Sequence, residues 1–257
     1  KVGQILVAQC RSDLDDCAAA ILPSFVRQAA ITKIAEEAES LVQVAHRYDG
    51  DRVTFYEDDK KRCSDDDSLD SAVRSVRHPN RYCQILNYQI PNHSDLRAIY
   101  LWPPLTEFIR QVLNVEHLFL SQCPHLALTM KVAYEGDTDG WHYDPNDGVI
   151  TLVLQTADNG GEFEYAPNIR NKNDQNYAGV DRLFKSPDVE ATRPMLEPGT
   201  FTFFNGRHSM HRVRPVGSTR QPRIVSIFSF DQRPDHFFAQ SYIDKLRRFP
   251  QGPPIVD

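Results

Sequence analysis

Apolar and polar positions change their rhythm several times along the chain. After Pro23-Ser24, Val26, Ala30, Ile34, Ala38, Leu41 and Ala45 recur at spacings of three and four, which predicts an amphipathic helix laid on a core. Ahead of it, Ile5-Leu6-Val7 reads only as a short apolar start. Over residues 49–70 the pattern dissolves into charged patches, Glu57-Asp58-Asp59-Lys60-Lys61-Arg62 and then Asp65-Asp66-Asp67. Such a stretch reads as a solvated loop and, inside a compact domain, as a candidate lid over an active site. Residues 81–90 are rich in β-formers and stopped by Pro91, so a strand is expected there. Pro103-Pro104 then opens a second helix with the apolar stripe Leu105, Phe108, Ile109, Val112 and Leu113.

From Leu126 onward the texture becomes short apolar runs, at 126–134, 148–156, 162–165, 200–204, 210–216 and 223–230. Turn residues at Glu135-Gly136-Asp137, Asp158-Asn159-Gly160-Gly161, Asn205-Gly206 and Val216-Gly217-Ser218 separate most of them, which favours an antiparallel sandwich or barrel. Residues 168–193 are a polar excursion with a short helix over 177–184, and a final helix over 237–249 is expected to pack outside the barrel. The reading is a mainly β protein with flanking helices, a single domain over 1–257. Residues 1–125 supply helical and strand support and the candidate lid, 126–232 the core, and 233–257 a C-terminal helix and tail.

Composition narrows the function more than the fold. The net charge of −6, with Lys and Arg dispersed, lacks the basic patch of a nucleic-acid binder. Five scattered cysteines, Cys10, Cys17, Cys63, Cys83 and Cys123, never form a Cys-x-x-Cys pair, which argues against a disulfide framework and a structural zinc site. No apolar run reaches membrane-spanning length and the N-terminus lacks the order of a signal peptide, so a cytoplasmic protein with no membrane partner is expected.

The chemistry concentrates at His142-Tyr143-Asp144. Read as strand residues two apart, His142 and Asp144 point one imidazole and one carboxylate to the same side. A third ligand is expected from Gly206-Arg207-His208-Ser209-Met210-His211. His211 is preferred because it opens a strand in which Val213 shares its face while Arg212 and Arg214 take the other; His208, in the turn after Asn205-Gly206, is the rival. Two His and one carboxylate leave positions open for a bidentate cosubstrate and O₂, the ligand set of non-haem Fe(II) oxygenases. Arg223 opens the last long strand with Val225 and Ile227 on its face, and a guanidinium there needs an anionic partner such as a carboxylate. Arg220, among turn residues, is the weaker candidate.

In order, Tyr134, His142-x-Asp144, a strand ending in Gln155, Gly160-Gly161-Glu162-Phe163, Pro198-Gly199-Thr200, His211-Arg212-Val213 and Arg223 resemble the iron(II)/2-oxoglutarate-dependent dioxygenases on a double-stranded β-helix, a jelly-roll or cupin-like core. More narrowly, Gly161-Glu162-Phe163-Glu164-Tyr165, Phe204-Asn205-Gly206-Arg207 and Met210-His211-Arg212-Val213-Arg214-Pro215-Val216 look like the bacterial subgroup of free amino-acid halogenases and hydroxylases. The resemblance implies His142, Asp144 and His211 as catalytic metal ligands and Arg223 on the distal carboxylate of 2-oxoglutarate. Tyr134 and Thr151 are further cosubstrate candidates, and Arg81, His125 and Asp139 are candidates for substrate. The implied reaction uses Fe(II), 2-oxoglutarate and O₂, with ascorbate as a supporting reductant, to hydroxylate a small molecule such as a free amino acid and release succinate and CO₂. The carrier-free halogenases of that subgroup carry Gly at the metal Asp, whereas this chain keeps Asp144, followed by Pro145 rather than an acid. That departure speaks against halogenation and leaves a lysine-like substrate without support. The alternatives are a desaturase or cyclase of the same family, a hydrolase or isomerase using the triad with another metal, and a β-barrel that binds a small ligand without catalysis.

Overall fold

Alternation along the strands sorts side chains to two sides with little mixing. A computed structural model describes residues 2–55, 72–144 and 149–235 together with Phe238, Gln240 and Ile243. Its strands, in chain order, are β1 (Ala19–Leu22), β2 (His46–Val53), β3 (Arg77–Ile85), β4 (Phe119–Leu120), β5 (Leu128–Ala133), β6 (Thr138–His142), β7 (Val149–Gln155), β8 (Phe163–Ala166), β9 (Phe201–Phe204), β10 (Met210–Val213), β11 (Arg223–Phe228) and β12 (Phe230–Asp231). Among the described residues ten of them form one sheet in the order β1-β9-β7-β11-β5-β3-β6-β10-β8, with β2 on β3, while β4 and β12 pair separately. All pairings are antiparallel, and the sheet curls into the jelly roll expected from the sequence.

On β5, β7, β9 and β11 the residues Leu128, Met130, Val132, Ile150, Leu152, Leu154, Phe201, Phe203, Ile224 and Phe228 face the helices and make the main core. Each such side chain contributes about 1.5–3 kcal/mol on burial. Their neighbours Lys131, Ala133, Thr151, Val153, Thr202, Phe204, Arg223, Val225 and Ile227 face the opposite way and line one cavity. The period of two thus separates the packed side of the sheet from the working side.

The helices cover the packed side. Gln28–Leu41 buries Ile31, Ile34, Ala35 and Ala38, as its spacing predicts, but it stops at Leu41; Ala45 lies beyond a 3-10 turn over Val42–Val44. Pro103–Val112 buries Leu105, Ile109 and Val112. The polar excursion contains the helix Tyr177–Lys185.

Four elements differ from the sequence reading. The apolar start is the first turn of a 16-residue helix, Val2–Cys17, whose Val7 and Cys10 are buried with Leu14 packed beside them. β1 follows it and pairs with β9. The expected loop begins as β2, which pairs with β3 from His46 opposite Gln84 to Val53 opposite Arg77. Its exposed Asp49, Gly50 and Asp51 are tolerated because β2 has a partner along one edge only. The remainder of the proposed lid, from Tyr56 to Asp70, lies outside the described residues, as does most of the C-terminal helix. Ile243 of that helix is buried with Tyr48 and Tyr82. Finally, β3 runs over Arg77–Ile85 rather than to Ile90, and Asn87–Gln89 is a 3-10 turn.

β3 also carries a half-buried titratable ring. His78 packs edge-on to Phe184 at 4.8 Å, and a Cβ on Gly140 would lie 2.4 Å from His78 Cβ, so the strands meet there only because residue 140 is glycine. His78 Nε2 has no hydrogen-bond partner, and burial, aided by Arg212 and Arg52, pushes its pKa down to about 4. The unfolded chain takes up this proton near pH 6.5 and the folded chain does not. Stability is therefore full above that pH and falls as the pH drops toward 4, by on the order of 2 kcal/mol. Urea midpoints at pH 7 and 4.5 should converge in His78→Leu relative to wild type; parallel losses in both proteins would assign the acid lability elsewhere.

Candidate metal and cosubstrate site

β6 ends at His142, and in the antiparallel pairing with β10 His142 stands directly opposite His211, their ring centroids 4.1 Å apart. Asp144 is not a strand residue, contrary to the sequence reading. It lies two positions past the end of β6, and its backbone N–H donates to Gly206 O at 3.0 Å. Its carboxylate rests on Gly206, where a Cβ would come within 1.8 Å of Asp144 Oδ2, so no larger residue fits the turn as it stands. The turn at Asn205-Gly206 therefore seats the carboxylate that strand alternation was expected to aim.

One ligand atom from each of His142, Asp144 and His211 lies within 4.8 Å of the others. His142 Nδ1 sits 2.7 Å from Gly140 O and His211 Nδ1 sits 3.0 Å from Ser209 O. A carbonyl only accepts, so Nδ1 carries the proton in each ring and the Nε2 lone pair is left for a metal. His211 Nε2 lies 3.3 Å from Asp144 Oδ2, and His142 Nε2 lies 3.9 Å from Asp144 Oδ1. Burial holds the His142 imidazolium well out of reach, with the Arg52 charge adding to the effect, so the ring is neutral. Burial would raise the Asp144 carboxyl, but His211, His142 and Lys131 together outweigh it and bring the value to about 2. Two imidazoles with Nε2 turned to a common point and an ionised carboxylate on one face fit a divalent cation such as Fe(II). His208 is turned away: its Nδ1 lies 3.2 Å from Asn205 Oδ1, in a separate surface depression shared with Asn168 and Arg170.

Arg223 lies in the wall of the same cavity as the three ligands. Burial draws its pKa down to about 10, Asp139 partly opposing, so it stays charged at neutral pH. No described residue supplies it with a hydrogen bond or counter-ion. Arg220 differs: its side chain is 92% exposed and pairs with Asp158 at 3.0 Å. Thr151 also lines the cavity, its hydroxyl sharing a hydrogen bond with that of Thr202 across β7 and β9.

The substrate candidates divide. Arg81 and Asp139 are in the wall. Arg81 donates to Gly136 O at 3.0 Å, and Asp139 accepts from Lys131 Nζ at 2.5 Å and from Arg52 at 2.6 Å. Burial would raise Asp139, but Lys131 dominates the remaining influences and holds it well below the usual carboxylate range. Tyr134, 40% exposed, and His125, buried edge-on against Tyr88, stand outside the wall. Trp141 and Tyr143 pack into a second apolar cluster, away from the cavity. Sequence reasoning missed Lys131, Arg52, Phe163, Phe204 and Thr202. Lys131 had a readable signal, a cation between Met130 and Val132 in a strand whose other residues carry no charge.

In sequence, residues 3–241 match the family described as Halogenase D. No curated protein matches the chain in sequence. Among solved structures, an oxidoreductase of the 2OG-Fe(II) oxygenase family from Burkholderia pseudomallei is similar at 13% identity and TM-score 0.51, covering 89% of this chain and 92% of its own. A Pseudomonas putida prolyl-4-hydroxylase is similar at 13% identity and TM-score 0.51, covering 88% and 99%. The epimerase SnoN in complex with Fe3+, alpha ketoglutarate and nogalamycin RO is similar at 12% identity and TM-score 0.60, covering 99% and 97%. At these identities the likeness is one of fold.

Proposed function

The chain belongs to the Halogenase D family, and from that premise we propose that it is an Fe(II)- and 2-oxoglutarate-dependent oxygenase that hydroxylates a small molecule, a free amino acid or derivative. The observation that carries this reading is Arg223, a half-buried cation with no salt bridge among the described residues, in the same cavity as His142, Asp144 and His211. A buried charge is costly unless paired, so the cavity is built to be completed by an anion. 2-Oxoglutarate fits because its 2-oxo acid end could be taken by a metal held at the triad while its distal carboxylate would pair with the guanidinium fork. His142, Asp144 and His211 would hold the iron, Arg223 would fix the register of the 2-oxo acid, and the Thr151–Thr202 pair would offer hydroxyls in the same cavity. Phe163, Phe204, Val225 and Ile227 keep water from the cavity. Iron so held, with 2-oxoglutarate and O₂, supplies replacement of a substrate C–H by C–OH, with conversion of the 2-oxo acid to succinate and CO₂.

Asp144 bears on the outcome. With a metal bound, the Asp144 carboxylate would take the position that a halide would need, which supports hydroxylation over halogenation within this family. Tyr134 and His125, outside the cavity, have no part in this assignment. Anaerobic addition of Fe(II) and 2-oxoglutarate should produce the visible absorption of a 2-oxo acid chelated to Fe(II), and a screen of free amino acids with ascorbate present should find one that accelerates succinate release. Absence of that absorption at saturating Fe(II) would refute the reading. Asp144→Gly should retain Fe(II) weakly and lose the hydroxylated product by mass spectrometry. A chlorinated product from the wild-type enzyme in chloride would overturn the choice of hydroxylation.

A further inference from the structure

The cavity wall holds charge that the metal and the 2-oxo acid leave unused. With Asp144 assigned to the metal and Arg223 to the cosubstrate, the charged residues remaining in the wall are Arg81, Lys131 and Asp139. Asp139 is committed: one oxygen accepts from Lys131 Nζ at 2.5 Å and the other from Arg52 at 2.6 Å, with the carboxylate side chain only 7% exposed. A substrate ammonium could pair with Asp139 only by approaching two cations already seated on it. Lys131 Nζ also lies 4.3 Å from the Tyr82 ring centre, which fixes its charge at the wall. Arg81 has a neutral partner only, Gly136 O, and no described carboxylate reaches its guanidinium. Strand pairing brings these groups together, since Arg81 stands opposite Thr138 and Asn80 opposite Asp139 between β3 and β6. In a chain of net charge −6 this wall is locally positive, and low-dielectric walls focus such a field on whatever enters.

On the oxygenase reading above, we propose that the substrate is a net-anionic small molecule, a dicarboxylic amino acid or another compound with more carboxylates than amines, its carboxylates facing Arg81 and Lys131. A zwitterionic monocarboxylate leaves the wall with a surplus positive charge. A lysine-like substrate adds to that surplus, and like charges brought together in a desolvated site are repelled. Val213, Val225 and Ile227 provide the apolar surface for the carbon skeleton between the charged ends.

The test is a panel of aspartate, glutamate and simple dicarboxylates against leucine, valine, lysine and ornithine. Substrate-stimulated succinate release reads turnover, and ligand-observed NMR on the metal-free protein reads binding without it. Anionic members should bind and stimulate turnover at least about tenfold better than neutral ones, with cationic members inactive. Arg81→Gln and Lys131→Gln should each raise the KM of the anionic substrate about tenfold while leaving that of 2-oxoglutarate unchanged. Lys131→Gln removes one partner of Asp139 and can unsettle the fold, so Arg81→Gln, held only by a carbonyl, is the variant that keeps the comparison readable. Preference for lysine, ornithine or a neutral amino acid, binding indifferent to both substitutions, or no binding of any anionic member would overturn the proposal. Failure of the Fe(II)–2-oxoglutarate absorption would instead strike at the oxygenase reading, and the NMR comparison would still decide the charge preference.

Discussion

His211→Ala is expected to abolish both Fe(II) retention and turnover while the protein remains folded. Three protein ligands are the minimum for the proposed face, and loss of one leaves a single imidazole and a carboxylate. The ring lines a cavity, so its removal exposes one backbone acceptor, Ser209 O, and costs the fold about 1–3 kcal/mol at most. His142→Ala should behave alike, freeing Gly140 O in its place. His208→Ala is the control, since that ring sits in a different depression with Asn205 as its neighbour. Metal retention after gel filtration, thermal melting and succinate release should be measured on all three variants. Normal activity in His211→Ala together with its loss in His208→Ala would reverse the choice of the third ligand.

Arg223→Leu is expected to raise the 2-oxoglutarate dissociation constant by roughly 30-fold to several thousand-fold, the equivalent of about 2–5 kcal/mol for removing one partner of a desolvated charged pair. The same substitution should raise the melting temperature of the ligand-free protein, because it removes a half-buried, desolvated cation that no described residue pairs in a salt bridge. The two readouts move in opposite directions, which a general loss of structure would not produce. Arg220→Ala should change neither, its charge being solvated and tied to Asp158 at the surface. Equal effects of the two substitutions on cosubstrate affinity would remove Arg223 from its assigned role.

The sequence by itself determined what depends on local periodicity. The apolar runs at 148–156 and 223–230 were legible as strands, and alternation put Arg223 on one face with Val225 and Ile227, because successive side chains on a strand point to opposite sides. The spacing of Ile34 and Ala38 gave a helix for the same kind of reason. His142, Asp144, His211 and Arg223 could be picked out as residues whose chemistry asks for partners. The helix over Val2–Cys17 has Val7, Cys10 and Leu14 at helical spacing, but so short a stripe among polar residues is a weak periodic signal.

Long-range pairing decided the rest. Asp49-Gly50-Asp51 carries no local preference for a strand and becomes one because β3 offers a row of backbone partners, and a hydrogen-bonded edge outweighs weak propensity. Asp144 reaches the metal face through Gly206, 62 residues away along the chain, and not through strand alternation; backbone contact between two turns is invisible to a period of two. The Lys131–Asp139–Arg52 cluster joins three strands, and Tyr134 and His125 fall outside the cavity because the curl of the sheet, which no window of sequence encodes, sets which inward positions face one another.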